Sequence, residues 1–292
     1  MIPLNRSVGP GGWPEVRFTD FGPGWERWLL LTGDRHWDNP KSDWKMQKRH
    51  LDEAVARDAL VVDVGDFFCL MQGKYDPRSD KSALRPEHRT EAYSDSIVDT
   101  AVEFFAPYAD RFVVIGKGNH EVSFLRRHET DISRRFVDKL NGTTGSNVMA
   151  GGVRGWVNFR FNSASKHYPP VNLYWHHGYG GGGPVTKNVI QANRMSVYLP
   201  DAEIVVLGHV HEYWHFPISR SRLTMKGVEY PSMTDFIQVP TYKQEFFGTD
   251  EGWHHDTGKP PKPIGAVWVR LFWGFNRPLN RGVVLREVMM AQ

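Results

Sequence analysis

Five short polar motifs each follow a run of apolar residues typical of a buried strand. The runs are WLLLT, LVVDV, FVVIG, VNLYW and EIVVL, and the motifs near their ends are GDRHWD, GDFF, GNHE, HHG and GHVH. Helical patterns separate the first three runs, and such alternation predicts parallel strands joined by right-handed crossovers. Side chains at the carboxyl ends of parallel strands meet at one crevice. The pattern therefore predicts an α/β fold in which motifs spread from Asp34 to His211 converge on a single site.

The rest of the chain completes one layered domain, residues 1–292, because it contains no repeat and no convincing linker. The motifs lie within a core of about residues 28–212. Residues 1–26 are rich in Gly and Pro and are expected to form an arm or cover. Residues 213–292 are rich in β-type patterns, so we expect a second sheet packed on the first. Strands are predicted at Trp28–Thr32, Leu60–Val64 and Arg111–Ile115, and helices at residues 42–59, 91–109, 122–140 and 185–199.

Composition excludes several classes of protein. With 292 residues, 40% of them hydrophobic, the chain can bury a substantial core. The net charge of +3 is too small to indicate nucleic acid by itself. Cys69 is the one cysteine, so no intramolecular disulfide forms, and we expect it to be buried and not a nucleophile. No apolar stretch approaches the roughly 18 residues that span a membrane. We therefore expect a cytoplasmic protein with no membrane partner.

The side chains in the motifs are carboxylates, imidazoles and one amide. Aspartate oxygens and neutral imidazole nitrogens suit borderline divalent ions such as Mn, Fe, Zn, Ni or Co. They are less suited to Mg or Ca, which prefer sites made of oxygen atoms alone. Two such ions about 3.5 Å apart activate a water, orient a phosphoryl oxygen and absorb the charge that develops during an in-line displacement. Cleavage of a phosphate ester is the reaction that this chemistry favours.

The ordered set DRH, GD, GNHE, HG and GHVH resembles the calcineurin-like metallophosphoesterase superfamily, whose motifs are D-x-H, G-D, G-N-H-E/D, H and G-H-x-H. Any one motif is unspecific, whereas five in order at compatible spacing are specific. The resemblance implies a layered β-sandwich flanked by helices, α/β/β/α, with the active site at the carboxyl ends of the strands. It also implies hydrolysis of a phosphomonoester or phosphodiester by a metal-bound hydroxide, without a covalent enzyme intermediate.

The resemblance also assigns roles to individual residues. His120 would protonate the leaving oxygen or stabilise the transition state, and Glu121 would support the loop. The cofactors would be two divalent ions, with Mn the first expectation. One ion would be held by Asp34, His36 and His211, the other by Asn119, His177 and His209, and Asp66 would bridge both.

Two features depart from the family pattern. Many relatives carry an acidic residue or His three positions after the bridging aspartate, where this chain has Cys69, so His120 needs another orienting partner, for which Asp38 is a candidate. The fourth motif offers two histidines. We expect His177 to be the ligand because a glycine follows it directly, and His176 to be structural or a substrate contact, since neighbours on a strand face opposite ways.

The identity of the substrate is less constrained. A small, nucleotide-like phosphate ester is slightly preferred; a nuclease or exonuclease acting on a DNA or RNA backbone is the alternative, and a non-catalytic metal-binding scaffold for protein interaction is the alternative of another class. A nuclease would use the insert Met71–His88 and the Arg-rich segment 122–140. The sequence leaves the oligomeric state open. The candidate substrate contacts are Arg35, His176, Lys187, Arg126 and Arg127. For a nucleic acid, the further candidates are Lys74, Arg78, Lys81 and Arg85, with Tyr75 and Phe124 to stack on bases. The remaining adjacent pair, His254 and His255, is expected to lie in a solvated turn.

Overall fold

The first sheet carries the first three motifs. Its central strands β3 (Glu26–Thr32), β4 (Leu60–Asp63) and β5 (Phe112–Ile115) run parallel. The full order is β14-β13-β3-β4-β5-β6, in which the outer strands are β6 (Met149–Ala150), β13 (Ala266–Asn276) and β14 (Arg281–Ala291). The computed structural model describes residues 5–72, 76–77, 79–80, 84–163, 166–181, 183, 185–247, 258 and 260–291.

The second sheet carries the last two motifs. Strands β9 (Val171–His176) and β10 (Ile204–Leu207) are parallel, and β12 (Glu229–Gln238) is parallel to β10. The order is β1-β2-β7-β9-β10-β12-β11, and β8 pairs with β7. The remaining strands are β1 (Asn5–Val8), β2 (Pro14–Phe18), β7 (Arg154–Ser163), β8 (Lys166–His167) and β11 (Trp214–Leu223).

Five α-helices lie among the described residues, and local capping fixes several of their ends. The carboxylate of Asp43 accepts a hydrogen bond from the Met46 amide at 2.9 Å and begins the first helix. No helix in the described part of the chain combines the length and apolarity needed to cross a bilayer. The helices are α1 (Trp44–Ala56), α2 (Tyr93–Phe105), α3 (Asn119–His128), α4 (Ile132–Thr144) and α5 (Val189–Tyr198), with 3₁₀ turns at Pro86–His88 and Ala106–Arg111.

Three hydrophobic clusters define the layers. The first joins the outer face of the first sheet to α1, α2 and α4, and the second lies between the two sheets. The third joins the outer face of the second sheet to α5, through residues such as Met195 and Phe236. Strands β4, β5 and β10 are buried at every position, so both faces of each sheet are covered at its centre. The prediction of an α/β fold with two packed sheets flanked by helices is confirmed.

Two predicted elements differ in detail from the structure. The segment 1–26 was expected to form an arm or cover; among its described residues, 5–26, strands β1 and β2 extend the second sheet, and Val16 and Phe18 are buried. Short strands flanked by Gly and Pro carry too few residues for a periodic pattern to be recognised. The helix predicted over 122–140 is two helices, since Glu129 adopts a left-handed conformation (φ 51°) that ends α3.

Candidate metal centre

The candidate ligands follow the carboxyl ends of parallel strands, either in loops or, for Asn119, at the first residue of α3. Asp34 follows β3, Asp66 follows β4, Asn119 follows β5, His177 follows β9 and His209 follows β10. Three groups of donors result, each with its ligand atoms within 4.8 Å of one another. Two consist of candidate ligands alone: Asp34, His36 and His211 in the first group, and Asp66, His177 and His209 in the second. The third joins His36, Cys69 and His120. The predicted convergence of the motifs is confirmed.

The first group places two imidazoles against one carboxylate. The Nε2 atoms of His36 and His211 are 3.3 Å apart, and His211 Nε2 lies 3.2 Å from Asp34 Oδ1. Asp34 is buried; its Oδ2 accepts a hydrogen bond from the His209 amide at 2.9 Å, whereas Oδ1 accepts none among the described residues. A buried carboxylate oxygen with no donor requires an electropositive partner. A divalent cation fits this group.

The second group directs several lone pairs at one point. Asn119 Oδ1 lies 2.7 Å from His209 Nδ1 and 3.1 Å from His177 Nε2, which is itself 3.2 Å from Asp66 Oδ2. His177 Nδ1 lies 3.2 Å from the Val64 carbonyl, which can only accept, so Nδ1 carries the proton. In the neutral ring Nε2 therefore presents a lone pair to two oxygen acceptors. A cation relieves that repulsion, so the residues fit a metal ion.

The electrostatics of the site favour neutral imidazoles at His36 and His209, an ionised carboxylate at Asp66 and a protonated His177 beside it. Burial is the main cause that lowers the pKa of His36 and of His209. Burial alone would raise the pKa of Asp66, but the nearby His177 and His120 hold it well below its ordinary value. Burial alone would lower the pKa of His177, but the Asp66 carboxylate raises it to about 10. The field that retains a proton on His177 also favours a bound cation.

Several candidate ligands adopt a left-handed backbone conformation, which is uncommon outside glycine. Their φ angles are 49° at Asp34, 47° at His36, 50° at Asp66, 77° at His209 and 54° at His211. Each such residue costs on the order of 1 kcal/mol or more, and such strain concentrates at functional sites. This backbone conformation permits a tight turn in each motif. One loop therefore presents both donors of D-x-H, and another presents both donors of H-x-H.

Two motif glycines leave room for the carboxylates. A Cβ on Gly118 would lie 2.0 Å from Asp66 Oδ1, and one on Gly208 would lie 2.9 Å from Asp34 Oδ2. Any side chain at either position would displace a candidate ligand. The glycines before Asn119 and His209 are therefore required by contact with the site.

Glu121 supports the loop, as predicted. Its carboxylate accepts hydrogen bonds from the backbone amides of Asp66 at 3.2 Å, Phe68 at 2.9 Å and Gly118 at 2.8 Å. Burial, reinforced by the Asp66 charge, raises the pKa of Glu121 to about 8. The side chain thus joins the second and third motifs and is not directed at a substrate.

His120 lies at the edge of the two groups. Its backbone amide donates to Asp66 Oδ1 at 3.0 Å, its Nε2 is 3.7 Å from Asp66 Oδ2, and its ring centroid is 5.0 Å from that of His36. Nδ1 hydrogen bonds to the backbone carbonyl of Cys69. Asp38, the candidate orienting partner, does not contact the His120 ring; its carboxylate accepts hydrogen bonds from the backbone amides of Cys69 and Leu70.

The two neighbouring histidines have different surroundings. His177 is fully buried among the donors of the second group. His176 is half-buried, its Nδ1 accepts from the Gly178 amide at 2.8 Å, and its ring packs 5.7 Å from that of Tyr179. Burial lowers the pKa of His176. This geometry favours His177 as the ligand.

Arg35 does not face the crevice, so the expectation of a phosphate contact is wrong. Its side chain is fully buried, and Nε donates to Asp63 Oδ2 at 2.7 Å. Its other nitrogens donate to Gln47 Oε1 and Thr32 Oγ1, both at 3.0 Å. The guanidinium also packs 5.1 Å from the Tyr242 ring centroid. Arg35 anchors the ligand loop to the core.

The other candidate substrate contacts are mostly engaged within the protein. Lys187 Nζ lies 3.4 Å from Glu212, and Arg127 pairs with the buried Asp76. Arg126 is exposed.

Candidate contacts for a nucleic acid gain no support. Arg85 pairs with Glu87 at 2.6 Å and lies 4.6 Å from the Trp37 ring centroid. Phe124 is buried, with its ring centroid 4.3 Å from that of His128, so it cannot stack a base. The remaining candidates lie outside the described residues: Lys74, Tyr75, Arg78, Lys81, His254 and His255.

A sixth loop at the site was missed. After β12, Thr241 Oγ1 donates to the Asp34 carbonyl at 2.8 Å and the Tyr242 amide donates to the same oxygen at 3.1 Å. Lys243 is 9% exposed and pairs with Glu245 at 2.6 Å. Its charge contributes to the lowered pKa of His36. The available signal was an apolar run, DFIQVP, followed by the polar residues TYK, as in the other five motifs.

Comparisons with known proteins do not identify the chain. No known family profile matches it. No curated protein matches it. Among solved structures, one similar chain is described as GAP50, the anchor in the inner membrane complex of Plasmodium. The two are 10% identical, with a TM-score of 0.44, over 91% of this chain and 84% of that one. A similarity this distant assigns neither a family nor an activity.

Proposed function

We propose that the chain is a dinuclear metal-dependent phosphoesterase of the calcineurin-like type. The observation that carries this proposal is the convergence of two three-residue donor groups, each within 4.8 Å, at the carboxyl ends of strands from two sheets. The amide oxygen of Asn119 and the ring of His120 lie beside them. Carboxylate, amide and imidazole donors are the ligands of hydrolytic dinuclear centres.

The donors divide between two ions. When bound there, two divalent ions supply an activated water and neutralise charge that develops on the phosphoryl oxygens. Manganese is our first choice, because the donors mix oxygen and imidazole nitrogen. The first ion is assigned to Asp34, His36 and His211, the second to Asn119, His177 and His209, with the Asp66 carboxylate shared.

His120 is assigned the role of the acid that protonates the leaving oxygen. Its Nδ1 is occupied by the Cys69 carbonyl, so Nε2 is the nitrogen free to serve a substrate. The ring is 13% exposed, which gives a bound ester access to it. A positioned general acid contributes about 10²- to 10⁴-fold in rate.

We propose a small, nucleotide-like phosphate ester as the substrate and the cytoplasm as the location. The single buried cysteine suits a reducing compartment. Among the described residues, the cations expected to bind a polynucleotide are largely paired with carboxylates: Arg85 with Glu87, Arg127 with Asp76, and Arg135 with Asp95. Nothing in these contacts favours a nuclease.

The test is hydrolysis of p-nitrophenyl phosphate and bis-p-nitrophenyl phosphate before chelation, after chelation and after return of Mn²⁺. Activity is expected to disappear and return. Asp66→Asn and His120→Ala should each lose about 100-fold or more, whereas Asp43→Asn and His167→Ala, which alter a helix cap and an exposed histidine, should not. Normal turnover in Asp66→Asn would contradict the proposal. Metal binding without turnover would favour the non-catalytic scaffold.

A second assay separates the two substrate classes. Single-stranded DNA and bis-p-nitrophenyl phosphate are compared over a series of salt concentrations. Neutralising several backbone phosphates makes binding steeply salt-dependent. Turnover of the small ester with little salt dependence and no cleavage of DNA is expected. Efficient, strongly salt-dependent cleavage of DNA would instead indicate a nuclease.

A further inference from the structure

Asp38 organises the loop that follows the second motif. It is 1% exposed, and its carboxylate accepts hydrogen bonds from the Cys69 amide at 2.5 Å, the Leu70 amide at 3.1 Å and the Tyr93 hydroxyl at 2.5 Å. Leu70 has a φ of 54°, a conformation that a leucine does not adopt without support. Two charge-assisted bonds to consecutive amides provide that support.

The same peptide carries the acceptor for His120. With its amides held on Asp38, the Cys69–Leu70 turn directs the Cys69 carbonyl at His120 Nδ1. A carbonyl can only accept, so Nδ1 keeps its hydrogen in both states of the ring: the imidazolium, which can donate the proton on Nε2, and the neutral form that remains after the transfer. Nε2 is then left on the side of Asp66, 3.7 Å from its Oδ2. The Cys69 Sγ accepts a hydrogen bond from Asn39 at 3.4 Å, and the contact to His120 Nδ1 is made by the backbone carbonyl of Cys69.

We propose that Asp38 is a positioning residue for His120, acting through the Cys69–Leu70 peptide to keep Nε2 directed at the leaving oxygen. Tyr93 fixes Asp38 in turn. The relay spans three segments, from the first motif loop through the second to α3, and it also involves the first turn of α2. The inference rests on the proposed function, because the leaving oxygen belongs to that reaction. The orientation of the ring, however, is measurable without turnover.

The first test compares two leaving groups in Asp38→Asn. An amide offers one acceptor oxygen, so one backbone amide loses its partner while the volume is kept. Phenolate leaves less readily than p-nitrophenolate and depends more on a donated proton. We expect kcat for the phenyl ester to fall about 10- to 100-fold and kcat for the p-nitrophenyl ester less than about 3-fold, with KM unchanged. Equal losses on both esters, or none, would overturn the proposal.

Tyr93→Phe tests the relay with a smaller change. It removes the third hydrogen bond to Asp38 and should show the same leaving-group dependence, more weakly. Tyr108→Phe is the matched control, because it deletes a tyrosine hydroxyl bonded to Asp52 at 2.6 Å away from the site. Its kcat ratio for the two esters should equal that of the wild type. A Tyr93→Phe ratio equal to the control would count against the relay.

The second readout is the tautomer of His120 in the zinc-loaded protein labelled with ¹⁵N-histidine. The His120 signal is identified by its loss in His120→Ala. The wild type should show Nδ1 protonated, and Asp38→Asn a mixture of forms. An unchanged tautomer would overturn the inference even if activity fell. If the wild type hydrolyses no ester, the proposed function fails, while the spectra still decide whether Asp38 sets the ring.

Discussion

Replacing Asp63 by alanine is expected to lower the free energy of unfolding by about 4 kcal/mol. Asp63 and Arg35 are both fully buried, with Nε and Oδ2 2.7 Å apart. Removing one partner of a buried ion pair costs about 3–5 kcal/mol, because the remaining charge is left without compensation. A guanidinium cannot escape by losing its proton. Its bonds to Gln47 and Thr32 remain, which places the loss near the middle of that range.

Removal of the other partner, in Arg35→Met, should give a free energy of unfolding that depends differently on pH. Burial raises the pKa of Asp63 in the native protein, although Arg35 opposes this, and removal of Arg35 raises it further. An unfolded aspartate titrates near about 3.9. As pH falls through the raised folded-state pKa, the folded variant takes up a proton that the unfolded chain does not, so its stability increases. Asp63→Ala should show no such recovery.

Guanidinium denaturation followed by tryptophan fluorescence, on metal-free protein at pH 7.5 and 5.5, measures these effects. The double variant leaves no unpaired charge and should be more stable than the sum of the single losses predicts. Asp138→Ala, which breaks the exposed pair with Arg134 at 3.6 Å, should leave the midpoint unchanged. A loss below about 1 kcal/mol in Asp63→Ala, or strict additivity, would refute the reasoning.

Two further outcomes follow from local geometry and charge. Gly118→Ala should lose bound metal and activity, since the new methyl group would lie 2.0 Å from a carboxylate oxygen of the proposed bridging ligand; Gly142→Ala, with nothing within 4 Å, should retain both. For Asp235, burial alone would raise the pKa, but His215 and Arg286 lower it. Its contribution to stability is therefore present above about pH 4 and lost as pH falls through the depressed folded-state pKa. In Arg286→Met, the free energy of unfolding should therefore fall less steeply as the pH is lowered below about 4. An unchanged slope would exclude Asp235 as the group responsible.

The convergence of the candidate ligands could be predicted because its determinants are local. Each motif immediately follows a strand, and parallel strands in one sheet end at one edge. Sequence order thus translates directly into position within each sheet, for Asp34 and Asp66 in the first and for His177 and His209 in the second. Convergence required no knowledge of which strand pairs with which.

The direction of Arg35 could not be predicted, because it depends on the backbone of its neighbours. Asp34 and His36 both have positive φ, and this tight loop turns the residue between them away from the crevice. Its partner Asp63 lies at the end of a different strand, 28 positions away. No short-range pattern records such a contact.

The partner of His120 was also hidden, because it is a backbone carbonyl. The relay from Asp38 to the Cys69 peptide joins residues 31 positions apart. The only trace of it in the sequence is Asp38, the last residue of GDRHWD. The side-chain types in a motif predict which atoms can bind a metal or a substrate. The orientation of a side chain such as His120 depends on backbone groups, which any residue type could supply.

Counting bound Mn²⁺ per chain while measuring hydrolysis of bis-p-nitrophenyl phosphate, during titration of the chelated protein, tests the central claim most directly. Two ions should bind, and activity should rise only as the second is taken up. Asp66→Asn should hold fewer than two ions and remain inactive. Binding of one ion or none by the wild type, or turnover that does not depend on Mn²⁺, would contradict the account.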